Sequence, residues 1–325
     1  MKITLGDIVF GCGSTGGGGG SVSSSHPLPN GIKFAGSTWE TFDCGKYDWS
    51  LIYDASGMFE NCSNLKRIDN FPKNEINGCV YMFNGCSALE SIPNGIKLKP
   101  YYTIDNMFHG CTNLTEIPYF DTSKVYSFNS AWSNCDKLTT FPQLDTSNGT
   151  NFGGAWNDCD ALASFPLINT AKGTDFGSAW RFCISLTSFP QLDTSNGTNF
   201  NSAWLNCVSL TEFPALDLSK GTDFGSAWYW CSSLTTMPAL DLSNGTNFYN
   251  AWFYCEKLTN LGGFGAISAN FDLSTSTLLT AESLMNVITQ AATVTGKTMT
   301  LGSTNLAKLT DEQKAVATSK GWTLA

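Results

Sequence analysis

The chain has 325 residues, and its charged fraction of 14% lies below the roughly 25% of an average soluble domain. Its 18 basic and 27 acidic residues give a net charge of -9, which argues against a nucleic-acid partner because phosphate binding needs a basic surface. No run approaches the roughly 20 apolar residues that cross a bilayer, so we expect no membrane insertion. Hydrophobic residues make up 42% of the chain, which is enough to build a folded core.

Residues 1–25 differ from the rest of the chain and predict a tail with a flexible linker. Asp7 interrupts the apolar run at the N-terminus, so the segment does not read as a secretory signal peptide. Five consecutive glycines follow at 16–20, and such runs behave as flexible coils. The segment before them is too short to be stable alone, but it can add a strand to the exposed sheet edge of an assembly. The anchoring side chains would be Ile3, Leu5, Ile8, Val9 and Phe10.

From residue 58 to 262 the sequence repeats with a 24-residue period marked by nine cysteines, apart from one step of 25 residues. An aromatic residue stands three positions before each cysteine, and a leucine stands three positions after it. One unit of this length cannot bury its own apolar face and must stack on its neighbours, so the pattern predicts a solenoid. The marker cysteines are Cys62, Cys86, Cys111, Cys135, Cys159, Cys183, Cys207, Cys231 and Cys255.

Each unit divides into two parts by the spacing of its apolar residues. Phe200, Trp204 and Cys207 stand at helical spacing, which predicts one face of a short helical turn. Leu210 and Leu216 belong to a short strand, and the turn residues that follow lead into the next helical turn. We therefore expect an α/β repeat in which each coil advances by one strand spacing, about 4.8 Å.

The repeat resembles a known family. Residues 58–65 and 107–114 both read Met-Phe-x-x-Cys-x-x-Leu, and residues 121–125 read Asp-Thr-Ser-Lys-Val. These runs are similar to the BspA-like leucine-rich repeats of bacterial surface proteins, a family that also occurs on phage-encoded proteins. The chain departs from that pattern by a contraction around the proline and by tryptophan in place of phenylalanine from Trp132 onward. The resemblance implies adhesion or recognition at a cell surface.

Both ends of the stack are expected to carry caps. Residues 29–34 echo residues 93–98, which predicts an incomplete repeat at the N-terminal end. Beyond the last repeat, Thr280 and Thr310 stand where helix N-caps are expected. The sequence thus predicts a leucine-rich-repeat solenoid of about nine 24-residue units with two caps. Its parts are an anchoring tail with a Gly-rich linker at 1–25, an N-terminal cap at 26–57, the solenoid at 58–262 and an α/β cap at 263–325.

The cysteines and the sparse histidines give no sign of metal, cofactor or catalysis. Repeat cysteines lie on the apolar side of each unit, so we expect buried thiols, although stacked neighbours could approach disulfide distance. No Cys-x-x-Cys pair suggests zinc. His26 and His109 are the only histidines, which leaves little for nucleophilic catalysis. The repeated aspartates, such as Asp193 and Asp217, recur at a turn position and are expected to be structural. We expect no enzyme.

The candidate binding residues are those that vary between units while the core positions stay constant. The two residues before each cysteine become aromatic towards the C-terminus, and exposed aromatic side chains are common at binding hot spots. The alternative is that these side chains pack beneath the C-terminal cap. The candidates are Arg181, Phe182, Tyr229, Trp230, Phe253 and Tyr254.

Two functional hypotheses follow from the sequence. In the first, the chain is a non-enzymatic virion protein of a phage, of the capsid-decorating or fibre type. Its tail would bind other virion proteins, and its solenoid would bind a host surface protein or glycan. In the alternative, the chain is a bacterial cell-surface adhesin with a leucine-rich repeat. The lack of a visible signal segment favours the virion, whereas the family resemblance favours the adhesin.

Overall fold

The computed structural model describes residues 27–93 and 96–325, together with the backbone of residues 2–5 and 8–11. The chain winds into a leucine-rich-repeat solenoid of about 11 turns, rather than the nine expected from the cysteine count. The count differs because stacking continues beyond the cysteine-marked units. Phe34 N donates to Met58 O at 2.6 Å before them, and Met299 pairs with both Phe271 and Leu324 after them. The four-part division of the chain stays a prediction.

Regular strands are short, and those of the solenoid pair in parallel. The pairs β3–β4, β5–β6 and β7–β8 stack neighbouring coils, and β9, β10 and β11 form a three-stranded sheet at the C-terminal end. Between them, single parallel bridges such as Asn151↔Asp175 continue the stack. The strands are β1 Lys2–Leu5, β2 Ile8–Gly11, β3 Thr41–Asp43, β4 Arg67–Asp69, β5 Tyr102–Thr103, β6 Val125–Ser127, β7 Thr236–Met237, β8 Asn260–Leu261, β9 Phe271–Asp272, β10 Lys297–Thr300 and β11 Trp322–Leu324.

The N-terminal segment forms a hairpin of its own. Strand β1 pairs antiparallel with β2, with Lys2 opposite Gly11 and Leu5 opposite Ile8. The two halves of the segment thereby satisfy backbone groups of each other, and the expectation that so short a segment is not stable alone stays a prediction. All five anchor residues lie in these strands, and their docking on an assembly stays a prediction. The glycine-rich linker and His26 lie outside the described residues.

The predicted helical turn in each unit is wrong, and two successive tight turns stand in its place. Ala203 N donates to Phe200 O at 3.1 Å, and Cys207 N donates to Trp204 O at 3.2 Å. Ser202 and Asn206 have φ angles of 56° and 61°, in the left-handed region. A left-handed residue at every fourth position ends each turn before a helix can form. It also directs the intervening N–H groups towards the next coil.

Helices of four or more residues occur, within the described residues, only near the C-terminus. They are α1 Ala281–Gln290, α2 Gly302–Leu306 and α3 Asp311–Ser319, and a 3₁₀ turn spans Cys44–Lys46. Both predicted N-caps are confirmed. Thr280 Oγ1 accepts from Ser283 N at 3.1 Å, and Thr310 forms a reciprocal capping box with Gln313. These bonds satisfy N–H groups that the first helical turn leaves without partners.

Stacked aromatic rings fill the solenoid core. Adjacent indoles of the repeat tryptophans lie 5.5–5.7 Å apart between centroids and within 11° of parallel. A second column of phenylalanines stacks beside them at 5.3–5.5 Å. The indole Nε1 atoms are buried and have no hydrogen-bond partner. The tryptophans, each with 0% exposure, are Trp132, Trp156, Trp180, Trp204, Trp228 and Trp252.

The nine repeat cysteines form a ladder of buried thiols, as predicted. Each Sγ donates to a carbonyl of the preceding coil at 3.0–3.3 Å; Cys207, for example, bonds Trp180 O. Burial raises the pKa of Cys231 to about 12 and raises the pKa of its stacked neighbours as well. A buried thiol with a raised pKa is inert as a nucleophile. The ladder is therefore a packing device.

Two substitutions at Trp204 test the aromatic core. Trp204→Ala should lower the free energy of unfolding by about 3–5 kcal/mol, because it removes a buried ring and leaves a cavity. Trp204→Phe should cost less than about 2 kcal/mol, because it also removes a buried N–H without a partner. Phenylalanine already occupies this position in the coils of Phe59, Phe83 and Phe108. Denaturant unfolding measures both, and equal losses for the two variants would contradict the stacked core.

The thiol ladder predicts a steep loss of stability in alkali. Burial raises the thiol pKa above the unfolded value, so its contribution is complete below about pH 8.5 and is lost as pH rises. Each thiol should remove about 1.4 kcal/mol per pH unit above that value, and eight together exceed a typical domain stability by about pH 10. The eight are Cys86, Cys111, Cys135, Cys159, Cys183, Cys207, Cys231 and Cys255.

Unfolding measured by circular dichroism between pH 6 and pH 11 under reducing conditions checks this expectation. Cys207→Ser serves as the control, because serine keeps a donor for Trp180 O but does not titrate in this range. It should reduce the slope by about 1.4 kcal/mol per pH unit. A stability that stays flat to pH 11 in the unsubstituted protein would show that the thiols are not held in their neutral form.

Candidate recognition surface

The two residues that precede each repeat cysteine form one face of the solenoid, which we call the pre-cysteine face. On the coil of Trp228, Tyr229 N donates to Ser226 O at 3.1 Å, and Trp230 N donates to Phe253 O on the next coil at 2.9 Å. Trp228 and Cys231 point into the core, so the two residues between them turn outward. The same register repeats in every unit, and equivalent side chains therefore stack in two columns along the solenoid.

Four of the six predicted binding residues come together as an aromatic cluster, consisting of Tyr229, Trp230, Phe253 and Tyr254. Ring centroids lie 4.5 Å apart for Phe253 and Tyr254, 5.5 Å for Trp230 and Tyr254, and 6.1 Å for Tyr229 and Phe253. Trp230 is 50% exposed and Tyr254 is 36% exposed. The cluster therefore presents ring surface to solvent.

The alternative, in which these rings lie beneath the C-terminal cap, is wrong for the two exposed members. The cap touches the cluster at its edge, where Tyr254 N donates to Thr275 Oγ1 at 2.8 Å. That bond fixes the backbone of Tyr254 and leaves its ring outside. Tyr229 and Phe253 are half-buried, and they pack against each other and against their exposed neighbours.

The remaining two predicted residues lie apart from the cluster. Arg181 places its guanidinium carbon 4.5 Å from the ring centre of Phe182, a cation–π contact within one coil. The coil of Leu205 and Asn206 lies between this pair and Tyr229. The structure therefore divides the six candidates into a pair and an aromatic cluster on the same face.

Backbone strain distinguishes the aromatic residues from the rest of their column. Phe182, Trp230 and Tyr254 have φ angles of 59°, 61° and 63°. This left-handed region disfavours bulky side chains, and such a residue costs on the order of 1–3 kcal/mol. Other coils carry a residue suited to that backbone at the same position, and these are Asn61, Gly85, Gly110, Asn134, Asp158 and Asn206. The backbone therefore does not require an aromatic residue at these three positions.

A second exposed aromatic group escaped the sequence analysis. Tyr102 is 66% exposed, and its ring centre lies 6.0 Å from that of Tyr126. Lys124 Nζ lies 4.4 Å above the ring of Tyr101. Tyr101 and Tyr102 fall where the repeat lengthens by one residue, so the period did not align them with the other coils.

Around the middle of the solenoid, acidic residues stand on both sides of the repeat cysteines: Asp158 on the pre-cysteine face, and Asp136 and Asp160 directly after Cys135 and Cys159. Burial raises the pKa of the Asp136 carboxyl, and the charge of Asp158 adds to this effect. Burial raises the pKa of Asp160 as well, and the charges of Asp136 and Asp158 add to this effect. Burial lowers the pKa of His109, which favours the neutral imidazole near pH 7. Anionic ligands are disfavoured here because they would meet carboxylates already under mutual repulsion.

The described residues give no support for metal chemistry. Among them, no three histidine, cysteine, aspartate or glutamate side chains are grouped to hold a metal ion. Within the same part of the chain, no helix has the length and apolar character needed to cross a bilayer. The arrangement on the pre-cysteine face offers ring surfaces and hydrogen-bonding groups, which suit binding.

Fold and surface together define a leucine-rich-repeat solenoid protein with an exposed aromatic cluster. A family model described as "Mycoplasma protein of unknown function, DUF285" matches residues 33–143 and 102–212. The two matches overlap and together cover more than half of the chain, so the protein belongs to this family. No curated protein matches it.

Three of the solved structures that the chain matches are bacterial leucine-rich-repeat or internalin proteins. A leucine-rich repeat protein from Bacteroides ovatus is 17% identical, with 88% of this chain and 83% of that chain covered and a TM-score of 0.38. A leucine rich cell surface protein from Faecalibacterium prausnitzii is also 17% identical, with 97% and 88% covered and a TM-score of 0.35. An internalin from Listeria monocytogenes is 17% identical, with 81% of each chain covered and a TM-score of 0.28.

Proposed function

We propose that the protein is a non-enzymatic recognition protein that binds a partner through the aromatic cluster. The observation that carries the proposal is the left-handed backbone of Trp230 and Tyr254. Asparagine or glycine would fit this backbone better, so the aromatic side chains are retained at a cost to the fold. Strained residues that are also exposed are typical of functional sites. Binding to a partner accounts for both properties.

The bacterial cell surface is the location that we propose. The repeat resembles the BspA-like repeats of bacterial surface proteins, for which adhesion is the expected role. The phage virion hypothesis, whether of the capsid-decorating or the fibre type, finds no support in the comparisons. The binding of the N-terminal tail to virion proteins stays a prediction. An adhesin therefore becomes the main hypothesis.

A double substitution that copies a neighbouring coil tests the aromatic cluster. Tyr229→Leu with Trp230→Asn reproduces Leu205 and Asn206, the pair that occupies the same positions one coil earlier. The free energy of unfolding should stay within about 1 kcal/mol, because relief of backbone strain offsets the lost ring contacts. Adhesion of protein-coated beads to the target surface should fall at least about tenfold, since hot-spot aromatic residues contribute 2 kcal/mol or more.

Phe182→Asn is the matched control, because it relieves the same strain outside the aromatic cluster. It should leave adhesion unchanged. Full adhesion by the double variant, with its circular dichroism spectrum intact, would place recognition outside the cluster.

Surface labelling tests the proposed location. An antibody against the solenoid should stain intact cells of the bacterium that makes the protein, and brief protease treatment of those cells should remove the stain. Recovery of the protein only from the cytosol, or only from purified phage particles, would contradict a cell-surface location.

A further inference from the structure

A polar groove runs along the solenoid beside the column of Asn157 and Arg181. It has a volume of about 540 Å³, and its lining residues extend from Asn129 to Asp223 over five consecutive coils. Four strand spacings give it a length of about 19 Å. Its last lining residue, Asp223, lies on the coil that carries Tyr229 and Trp230.

Three glycines line this groove, and the backbone favours glycine at only one of them, Gly154, whose φ of 60° is left-handed. Gly153 and Gly177 have no left-handed φ, and Asn201 and Tyr249 stand at the same position on other coils. A Cβ added at Gly153 would lie 3.0 Å from Asn129 Nδ2 and 3.5 Å from Asp175 Oδ2. The absence of side chains therefore provides space rather than conformational freedom.

Several polar atoms along the groove have no partner within the described residues. Asp175 Oδ1 accepts from Gly177 N at 2.9 Å and from Asn199 Nδ2 at 2.8 Å, whereas its Oδ2 accepts no hydrogen bond. Asp223 follows the same pattern, with Gly225 N at 2.9 Å from Oδ1. On the other wall, Asn157 Oδ1 and Arg181 Nε are buried and unpaired. Buried polar groups without a partner are costly, which favours a ligand that supplies one.

The polar lining alternates from coil to coil. The residues stacked along one wall are Asn151, Asp175, Asn199, Asp223 and Asn247. Because aspartate and asparagine alternate, no two carboxylates face each other one strand spacing apart. Asparagine on every coil would avoid the same repulsion, and its amide could still donate to and accept from its neighbours. The carboxylates are therefore not needed by the ladder. They recur every two coils, about 9.6 Å apart.

We propose that the groove binds a neutral β-linked glycan laid along the solenoid axis. In such a glycan each sugar is rotated by about half a turn relative to the one before it, so the same face recurs at every second sugar. This repeat length is close to the two-coil spacing of the carboxylates. Hydroxyls donate to carboxylate oxygens and accept from amide and guanidinium groups, which are the groups that line this groove. Asp175 and Asp223 outnumber Arg181, and Asp158 and Asp160 lie on the neighbouring columns, so an anionic glycan is disfavoured.

This site goes beyond the proposed function and does not depend on it. The aromatic cluster could bind a protein while the groove binds a glycan, because different side chains serve each. Their variants therefore separate the two proposals.

Isothermal titration calorimetry with cellohexaose and chitohexaose on the full chain tests the groove. At least one of these neutral hexasaccharides should bind. Asp175→Asn should weaken binding about tenfold, because a neutral acceptor replaces a charged one. Gly153→Asn should weaken binding by at least as much, because it fills the groove with a side chain that this backbone accepts on the coil of Asn201.

Asp193→Asn is the matched control, since Asp193 has the same chemistry but lies in an exposed turn, where it accepts from Ser195 N at 3.1 Å. It should bind as the unsubstituted protein does, and so should the Tyr229→Leu, Trp230→Asn variant. The proposal is overturned by any of three results. They are no heat with either hexasaccharide at millimolar concentration, binding by Asp175→Asn and Gly153→Asn that is as tight as that of the unsubstituted protein, or preferential binding of a sulfated polysaccharide.

Discussion

The whole molecule depends on how backbone N–H groups are shared between a coil and its neighbour. In each tight-turn segment, alternate N–H groups bond within the turn and across to the next coil, as Ala203 and Trp204 do. The left-handed residues at 202 and 206 create this alternation. Since every N–H needs a partner when buried, the pattern forces successive coils into one register. Columns of identical side chains, and the surfaces between them, follow from that register.

Because the coils share one register, each core position forms a column of identical side chains. Any favourable or unfavourable contribution of that side chain to stability therefore repeats in every coil. Stacked indoles gain ring contact on both faces, yet each carries a buried N–H without a partner. Stacked thiols satisfy carbonyls of the preceding coil, yet they can do so only in the protonated form. Phenylalanine in the first three coils avoids the indole cost. The core position can therefore hold either phenylalanine or tryptophan, provided that stacked neighbours have similar ring shapes.

The periodic features of the fold could be predicted from sequence, whereas the features that depend on local handedness could not. Burial of Trp204 and Cys207 follows from the 24-residue period alone. The predicted helical turn failed because apolar spacing cannot distinguish a helix from two tight turns. The missing signal was the recurrence of asparagine, glycine and aspartate before the cysteines, as at Asn61, Gly85 and Asp158. That recurrence also reveals Trp230 as an exception to the column. The groove escaped because it joins residues from five coils and because Gly153 and Gly177, which give it space, have no left-handed backbone angle.

The alternating lining has a consequence for how such a protein can change in length. Coils of the Asp175 type carry a lysine and an aspartate, as in Lys172 and Asp175, and coils of the Asn199 type carry asparagine at both positions. Lys172 Nζ donates to Asn148 Oδ1 at 2.6 Å, and Lys220 Nζ donates to Asn196 Oδ1 in the same way. Each coil with a lysine therefore forms a hydrogen bond with a neighbouring coil that carries asparagine. Loss of one neutral coil would bring two lysines and two aspartates face to face, whereas loss of two adjacent coils would keep the alternation along these two columns. Along these two columns, the smallest change in length that keeps like charges apart is therefore a pair of coils.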